Sequence, residues 1–451
     1  MTRPVAVVGL GRSNRSLARY LIQHGHRVTA LERRTLAQLG EGAPEVEALL
    51  GQGMEAVLGP DYLDGDLTRF ETLYLTPGIR KDLPPLLAAR MRGVKLSGEI
   101  PLFLERVPCP VTGVTGSAGK TTTTALLGAM LREGGLSPLV GGNIGNPVIE
   151  ALDGLSPSDR VVLELSSFQL ELCTRAPEVA LVLNLSPNHL DVHGTFDAYR
   201  DAKFTILRHQ RPTDTAILGP GVEAQVSAWG REASARRIRY RAGPELPGGG
   251  DQAWVEDGTL TLRIGGRRLR VVAADEIPIP GQHNVENALG AACAAALWGV
   301  SPEAMARAIR SFRGVEHRLE FVRERDGVRF VNDSIATAPD RTMAALRTMT
   351  PPIRLVAGGY DKGLDYAPLG PLIAERVAAL YLAGPTAAKI AGSAPDTPAF
   401  TFPTLEAAVR AAALDAQPGD TVLLSPASAS YDAFTDFEAR GRAFRGWVWT
   451  L

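Results

Sequence analysis

The chain has 451 residues, 45% of them hydrophobic and 22% charged. It is too apolar to remain disordered and too long for one average core, so several domains are expected. A net charge of −1 without any Lys/Arg run, an apolar stretch at Ala288–Val300 too short to span a bilayer, no signal-peptide layout and three scattered cysteines (Cys109, Cys173, Cys293) together predict a cytoplasmic protein with no nucleic-acid or membrane partner.

The first elements alternate short apolar runs with helical patterns: a strand at Val5–Val8, a helix at Arg15–Gln23, and strands at Arg27–Leu31 and Thr72–Leu75. This is the rhythm of a parallel α/β sheet. Gly9-Leu10-Gly11 follows the first strand and Glu32 closes the second, as in a dinucleotide site, but Asn14 stands where the third glycine belongs. Two readings stay open. One is a diphosphate-bearing nucleotide other than NAD, held by Ser13 and Asn14; the other is a plain turn without a ligand. The loop Thr76-Pro77-Gly78-Ile79 ends another strand on the same carboxyl edge.

After the proline-containing stretch 101–110 comes Val111–Thr124, VTGVTGSAGKTTTT, the most telling segment of the chain. Gly113, Gly116 and Gly119 lead from a β-rich run into Lys120-Thr121 and a helical pattern at Ala125–Glu133. Glycines let backbone N–H groups close on an anion, and the helix N-terminus adds positive potential. In this loop Gly116, Ser117, Gly119 and Thr122 frame the phosphates of ATP, Lys120 reaches the β/γ-phosphates, and the Thr121 hydroxyl ligates Mg²⁺. Val114 replaces the glycine of the common P-loop, so this is a G-x-x-G-x-x-G-K-T variant.

Buried strands follow at Val161–Leu165 and Val179–Leu185. Glu164, at a strand end, suits a second Mg²⁺ ligand or a water positioner. Ser186-Pro187-Asn188-His189-Leu190-Asp191 is a second strand-end loop with metal-competent groups, and Lys203 lies on a helix at Phe196–His209. Strands around Asp257-Gly258 and Gly265-Gly266 predict a small meander, ahead of a helix at Asn284–Trp298. Near Gly314 a further unit opens with a hairpin at Asp326-Gly327 and continues as α/β. Only six of the 48 basic residues are lysines. Those that survive such a bias are candidates for work a guanidinium cannot do, Lys120, Lys203 and Lys362 first among them.

In order along the chain, the phosphate loop, Gly142-Asn143-Ile144-Gly145, Glu164-Leu-Ser-Ser-Phe-Gln, Asn188-His189-Leu-Asp191, Tyr199-Arg-Asp-Ala-Lys203, Gly281-Gln-His-Asn284-Val-Glu-Asn287, His317-Arg318, Asn332-Asp333-Ser334, Gly358-Gly-Tyr-Asp-Lys362-Gly and Ser425-Pro-Ala-Ser-Ala-Ser430 resemble the Mur ligase family, ATP-dependent amide ligases that build the peptidoglycan peptide. The resemblance covers the whole chain. It implies an α/β fold of three domains: a Rossmann-like UDP-substrate domain at 1–95, a central P-loop ATPase-type domain at 96–313 and a Rossmann-like glutamate-ligase domain at 314–451. The Gly358–Lys362 and Ser425–Ser430 segments are most similar to the branch that adds D-glutamate to UDP-N-acetylmuramoyl-L-alanine, as a monomer.

By this likeness Lys120, Glu164, His189 and Lys203 carry the catalysis. One Mg²⁺ lies near Thr121 and Glu164, a second near His189 and Lys203, the latter carrying a CO₂-derived carbamate. Asn284, Asn287, His317, Arg318 and Asp333 surround the nucleotide, Asp333 towards the ribose. Ser13, Glu32, Arg34, Thr76 and Gly78 lie by the UDP group, Asn143 and His189 by the muramoyl-alanine. Thr337, Lys362, Ser430 and Phe437 hold the incoming glutamate. The family commonly has a basic residue where this chain has Ile335, which leaves the stereochemistry of the glutamate open. An L-glutamate-adding variant, a folylpolyglutamate synthase-like ligase and a non-catalytic binding protein of the same fold are the competing readings.

Overall fold

The computed structural model describes residues 3–145, 147–229, 235–279 and 281–451. The chain divides into two compact units, Met1–Phe312 and Arg313–Leu451. It is an α/β protein with three sheets, two in the first unit and one in the second.

The first sheet joins β1 (Val5–Val8), β2 (Val28–Glu32), β3 (Glu55–Leu58), β4 (Thr72–Leu75) and β5 (Lys95–Ser97) in the order β3-β2-β1-β4-β5, all parallel. The order reverses between β1 and β4, which opens a crevice at their carboxyl ends. Gly9, at φ +82°, is required there, because a Cβ would lie 2.6 Å from Thr76 Cγ2. Asn14 is fully buried, and its Nδ2 donates to the carbonyls of Val8 (3.0 Å), Gly9 (2.9 Å) and Tyr74 (3.0 Å). The expectation that Asn14 donates to a ligand is therefore corrected: its amide knits the two strands that flank the crevice.

The second sheet has nine strands: β6 (Val111–Thr115), β7 (Pro138–Gly142), β8 (Arg160–Glu164), β9 (Val179–Val182), β10 (Thr215–Leu218), β11 (Arg236–Tyr240), β12 (Gln252–Glu256), β13 (Thr259–Ile264) and β14 (Arg267–Ala273). Their order is β14-β13-β12-β11-β10-β9-β6-β8-β7. Pairing is parallel up to β12 and antiparallel in the β12–β14 meander. Its turns have positive φ at Asp257 and Gly258 and at Gly265 and Gly266, as two-residue hairpin turns require. The helix Lys120–Glu133 packs Leu126, Leu127, Met130 and Leu131 against this sheet and the alanine-rich helix Gln282–Leu297.

The third sheet, in the second unit, joins β15 (Glu320–Arg325), β16 (Val328–Asn332), β17 (Ile353–Ala357), β18 (Val377–Ala383), β19 (Ala399–Phe402) and β20 (Thr421–Leu424) in the order β15-β16-β20-β17-β18-β19. Only the β15–β16 hairpin, turning at Asp326-Gly327, is antiparallel.

Three local readings shift. The stretch 101–110 begins inside a helix, Glu99–Arg106, whose first turn tolerates Pro101 because no N–H there has a helical acceptor and proline has none to leave unpaired. β9 ends at Val182 rather than Leu185, since Asn184 turns aside to exchange hydrogen bonds with Ala118. The phosphate-loop helix begins at Lys120, not Ala125.

Asn14→Ala removes a donor from three buried carbonyls and is expected to cost about 2 kcal/mol of stability, read from urea unfolding. A change below about 0.5 kcal/mol, the level of an ordinary surface substitution, would contradict the role given to its amide.

Candidate functional site

Parallel pairing brings the carboxyl ends of β6, β8 and β7 to one edge, and three expected residues meet there. Glu164, 2% exposed, accepts the Thr121 hydroxyl at 2.7 Å and the Asn143 side-chain amide at 3.0 Å, while its carbonyl accepts the Asn143 N–H at 2.8 Å. Gly142 runs so close beneath it, at φ +100°, that a Cβ would lie 2.3 Å from the Glu164 carbonyl oxygen. A hydroxyl joined to a carboxylate at a phosphate loop is a hard-oxygen donor pair, the chemistry Mg²⁺ selects.

The loop above is held from both sides. Ser117 N–H donates to the Asn184 carbonyl, and the Ser117 hydroxyl bonds the Ser186 carbonyl (2.9 Å) and the Tyr199 hydroxyl (3.0 Å). Gly116 and Gly119 have φ of +156° and +83°. A Cβ at Gly119 would lie 2.4 Å from Asn287 Oδ1, so Asn287 stands against the loop, with Asn284 bonded to it at 3.1 Å. The Lys120 ammonium folds back over the loop onto the Gly116 and Ser117 carbonyls, and Thr122 is half-buried on the first helical turn.

Lys203 lies beneath this edge, 2% exposed. Its Nζ is 3.4 Å from the Thr115 hydroxyl and 4.9 Å from the centre of the Tyr199 ring. Burial, and then repulsion from Lys120, hold its pKa well below the usual lysine range, against the attraction of Glu164. The side chain is thus predisposed to the neutral amine.

His189 lies on the exposed loop after β9, in left-handed conformation (φ 53°) with its ring 5.3 Å from Phe168. Among the described residues no three His, Cys, Asp or Glu side chains form a metal cluster. His193, not singled out by the sequence reading, is engaged on several sides. Its ring stacks on Phe168 at 5.0 Å, with Nε2 3.0 Å from the Ser167 hydroxyl and Nδ1 3.2 Å from Glu171, which also pairs with Lys81.

At the crevice of the first sheet Glu32 is committed to its neighbours. Its carboxylate accepts from the Leu10 N–H at 2.7 Å and from the Arg34 N–H and guanidinium at 3.0 Å. Burial opposes its charge, but these bonds hold its pKa below the usual carboxylate range. Ser13 bonds buried Glu99, which also accepts the N–H groups of Val148 and Ile149 and is pushed up by burial. Thr76 lines a cleft with Leu75, Pro77, Lys81, Phe168 and Gln169, and Gly78 is exposed beside it.

In the second unit, β16 ends at Asn332 and delivers Asp333 into the interior, where it accepts from the Leu319 N–H (3.2 Å) and the Ser425 hydroxyl (2.8 Å). Burial pushes its pKa up to about 7, despite these bonds and the charge of Arg318. The buried His317 ring, at positive φ (64°), meets Asn332 at 3.0 Å and the Phe437 ring edge-on at 6.4 Å. Thr337 is half-buried, and Ser430 is buried with its carbonyl capping the turn to Phe434. Lys362 lies 5.9 Å from the Tyr431 ring; burial, then Arg341 and Arg440, hold its pKa below the lysine range. Arg440, missed by the sequence reading, is 1% exposed. Its guanidinium donates to the Ser334 hydroxyl and carbonyl and to the Ser428 and Ala429 carbonyls, stapling two loops that lie 90 or more residues apart. Burial lowers its pKa to about 10.

Residues 114–295 match the family model for the Mur ligase middle domain, and residues 317–428 match that for the Mur ligase, glutamate ligase domain. The chain is 47% identical to the UDP-N-acetylmuramoylalanine--D-glutamate ligase of Symbiobacterium thermophilum, covering 99% of this chain and 98% of that protein. It is 42% identical to the ligase of that name from Acetivibrio thermocellus, covering 98% and 95%. Among solved structures, the fold is similar to a MurF ligase from Thermotoga maritima in complex with ADP, with TM-score 0.52 at 18% identity over 100% and 96% of the two chains. A murein peptide ligase from Psychrobacter arcticus matches with TM-score 0.53 at 16% identity over 98% and 99%.

Asp333 has a pKa raised by folding, so its protonated form contributes stability that is full below the unfolded carboxylate range, near pH 4, and lost as pH rises through about 7. Asp333→Asn removes this dependence. Between pH 5 and pH 8 the wild type is expected to lose about 2 to 3 kcal/mol more than the variant in urea unfolding; parallel pH profiles would show that Asp333 titrates normally.

Proposed function

The chain belongs to the Mur ligase family, and from that premise we propose that it joins D-glutamate to UDP-N-acetylmuramoyl-L-alanine with conversion of ATP to ADP and phosphate, a step in peptidoglycan precursor synthesis. The observation that carries this reading is the Thr121–Glu164 pair under the phosphate loop, with buried Lys203 beside it. The naming of relatives at 38–47% identity over nearly the whole chain supports the substrates. We divide the chain into a Rossmann-like UDP-substrate domain at 1–95, a central ATP domain at 96–313 and a Rossmann-like glutamate-ligase domain at 314–451. No described helix is long and apolar enough to cross a membrane, and we propose a cytoplasmic monomer.

A carboxylate is a poor acyl donor. The alanyl carboxylate therefore attacks the γ-phosphorus of ATP, the bond to the β-bridging oxygen breaks, and ADP leaves an acyl phosphate. The glutamate amine, having lost a proton, then attacks the acyl carbon; the tetrahedral adduct expels phosphate and leaves the amide. Negative charge develops in both steps, so fixed donors and cations are what the protein must supply. The loop Gly116–Thr122 and the Lys120 ammonium orient the phosphates, and Asn284 and Asn287 bound the nucleotide side of the loop. Thr121 and Glu164 would hold a Mg²⁺, and His189 with Lys203 a second; bound there, Mg²⁺ supplies charge neutralisation at the phosphoryl oxygens. In the second unit we assign His317, Arg318 and Asp333 to the nucleotide and Thr337, Lys362, Ser430 and Phe437 to the glutamate. Ser13, Glu32, Arg34, Thr76 and Gly78 are assigned to the UDP group, and Asn143 to the muramoyl-alanine.

Lys203 fits a carbamate. With its pKa depressed, the ammonium gives up one proton, and the neutral amine adds CO₂ with loss of a second, so that a cation repelled by Lys120 becomes a carboxylate attracted by it. Arginine cannot undergo this addition. Lys203→Arg is expected to lose at least about a hundredfold in rate, a loss of the size that removing a key transition-state stabiliser produces. Wild type depleted of CO₂ should regain activity on addition of bicarbonate. Near-normal turnover by Lys203→Arg would end the carbamate assignment. The function itself is tested by mass spectrometry of the product from UDP-N-acetylmuramoyl-L-alanine, ATP, Mg²⁺ and D- or L-glutamate: a D-glutamyl amide is expected, and no amide, or preference for L-glutamate, would overturn it.

A further inference from the structure

Within the second unit, the carbonyls of the uncharged segment 334–337 are met by cationic side chains. The Ile335 carbonyl accepts two bonds, from the Thr337 N–H at 2.8 Å and from Arg341 Nη1 at 3.3 Å. Beneath the same segment, buried Arg440 holds the Ser334 hydroxyl and carbonyl. Lys362, on the loop after β17, is the third cation, close enough to both guanidinium groups to be repelled by them. Of the nearby carboxylates, Asp361 pairs with Lys389 at 2.6 Å, while Asp432 and Asp333 attract Arg440 without an ion-pair contact. Among the described residues none of the three cations has an ion-pair partner.

Arg341, like Lys362, is exposed. One of its N–H donors is spent on Ile335 and the rest of the planar fork is left for a ligand. It sits on the third residue of the helix Pro339–Thr348, where a cation opposes the helix dipole. Helix stability therefore does not account for it. Arg440 is sealed inside, and Lys362 offers a point charge, which suits one carboxylate but gives no planar match.

We propose that Arg341 is a specificity-determining residue for the amino-acid acceptor, binding one carboxylate of a dicarboxylic amino acid through its guanidinium while Lys362 binds the other. The inference rests on the ligase function proposed above and adds a residue to its acceptor subsite. Two separated cations select a substrate with two carboxylates over one in which an amide replaces either of them.

Steady-state kinetics of wild type, Arg341→Gln and Arg341→Lys, with each of the three substrates varied in turn, test it. Glutamine at 341 keeps a donor for the Ile335 carbonyl and loses the charge. The KM for D-glutamate is expected to rise about ten- to hundredfold, those for ATP and the UDP-sugar to stay within about twofold, and Arg341→Lys to recover part of the loss. An unchanged KM for D-glutamate in Arg341→Gln, or an equal rise for all three substrates, would overturn the proposal. If wild type forms no glutamyl amide, it is the ligase reading that fails, and the two failures are told apart.

Discussion

The first unit is organised around one carboxylate. Glu164 closes β8 between β6 and β7, so the parallel ladder itself delivers it to the phosphate loop, where Thr121 and Asn143 bond it. That convergence needs Gly142 beneath the Glu164 carbonyl and glycines in the loop, since side chains at those points would strike backbone or Asn287. The order of the strands and the placement of the glycines thus serve one purpose, to set acceptor oxygens and N–H donors around a space for phosphate. The loop is held in place by Asn184, Ser186 and Tyr199, and a loop fixed beforehand costs no reorganisation when charge develops.

The ionisable groups that folding buries are unevenly compensated, and the pattern follows the chemistry. Arg440 is satisfied by four main-chain and hydroxyl oxygens and acts as a staple. Asp333 keeps its proton into the neutral range because two hydrogen bonds do not offset its burial. Lys203 is the outlier: its amine meets a hydroxyl and an aromatic face, with a second ammonium near enough to repel it. A buried charge so poorly served destabilises the fold unless it is neutralised or changes sign. The proposed conversion to a carbamate would do the latter, and would give a physical reason for a lysine at this position in an arginine-rich chain.

Much of this was legible in the sequence because it is local. The phosphate loop, the strand-end acid, the meander turns at Asp257-Gly258 and Gly265-Gly266 and the Asp326-Gly327 hairpin are each written within a few residues, and backbone geometry then follows from residue type. Asn14 was misread for the opposite reason: its partners include Tyr74, 60 positions on, and nothing beside Asn14 announces it. Arg440 and Arg341 escaped notice likewise. An arginine on a helix is ordinary in a sequence with 42 of them, and only the fold shows that one is sealed under Ser334 while the other rests on the Ile335 carbonyl. Strands such as β7, with glycines at 141 and 142, lack the β-branched signature because close approach to Glu164 was the stronger requirement.

The central claim is that a γ-phosphoryl group passes from ATP to a substrate carboxyl at the Glu164 edge before any amide bond forms. Its most direct test is oxygen transfer. With both alanyl carboxylate oxygens of the UDP-sugar substrate labelled as ¹⁸O, turnover in the presence of D-glutamate should release inorganic phosphate carrying one ¹⁸O atom, observed as the isotope shift in its ³¹P resonance. Phosphate released without label while the glutamyl amide accumulates would contradict the account.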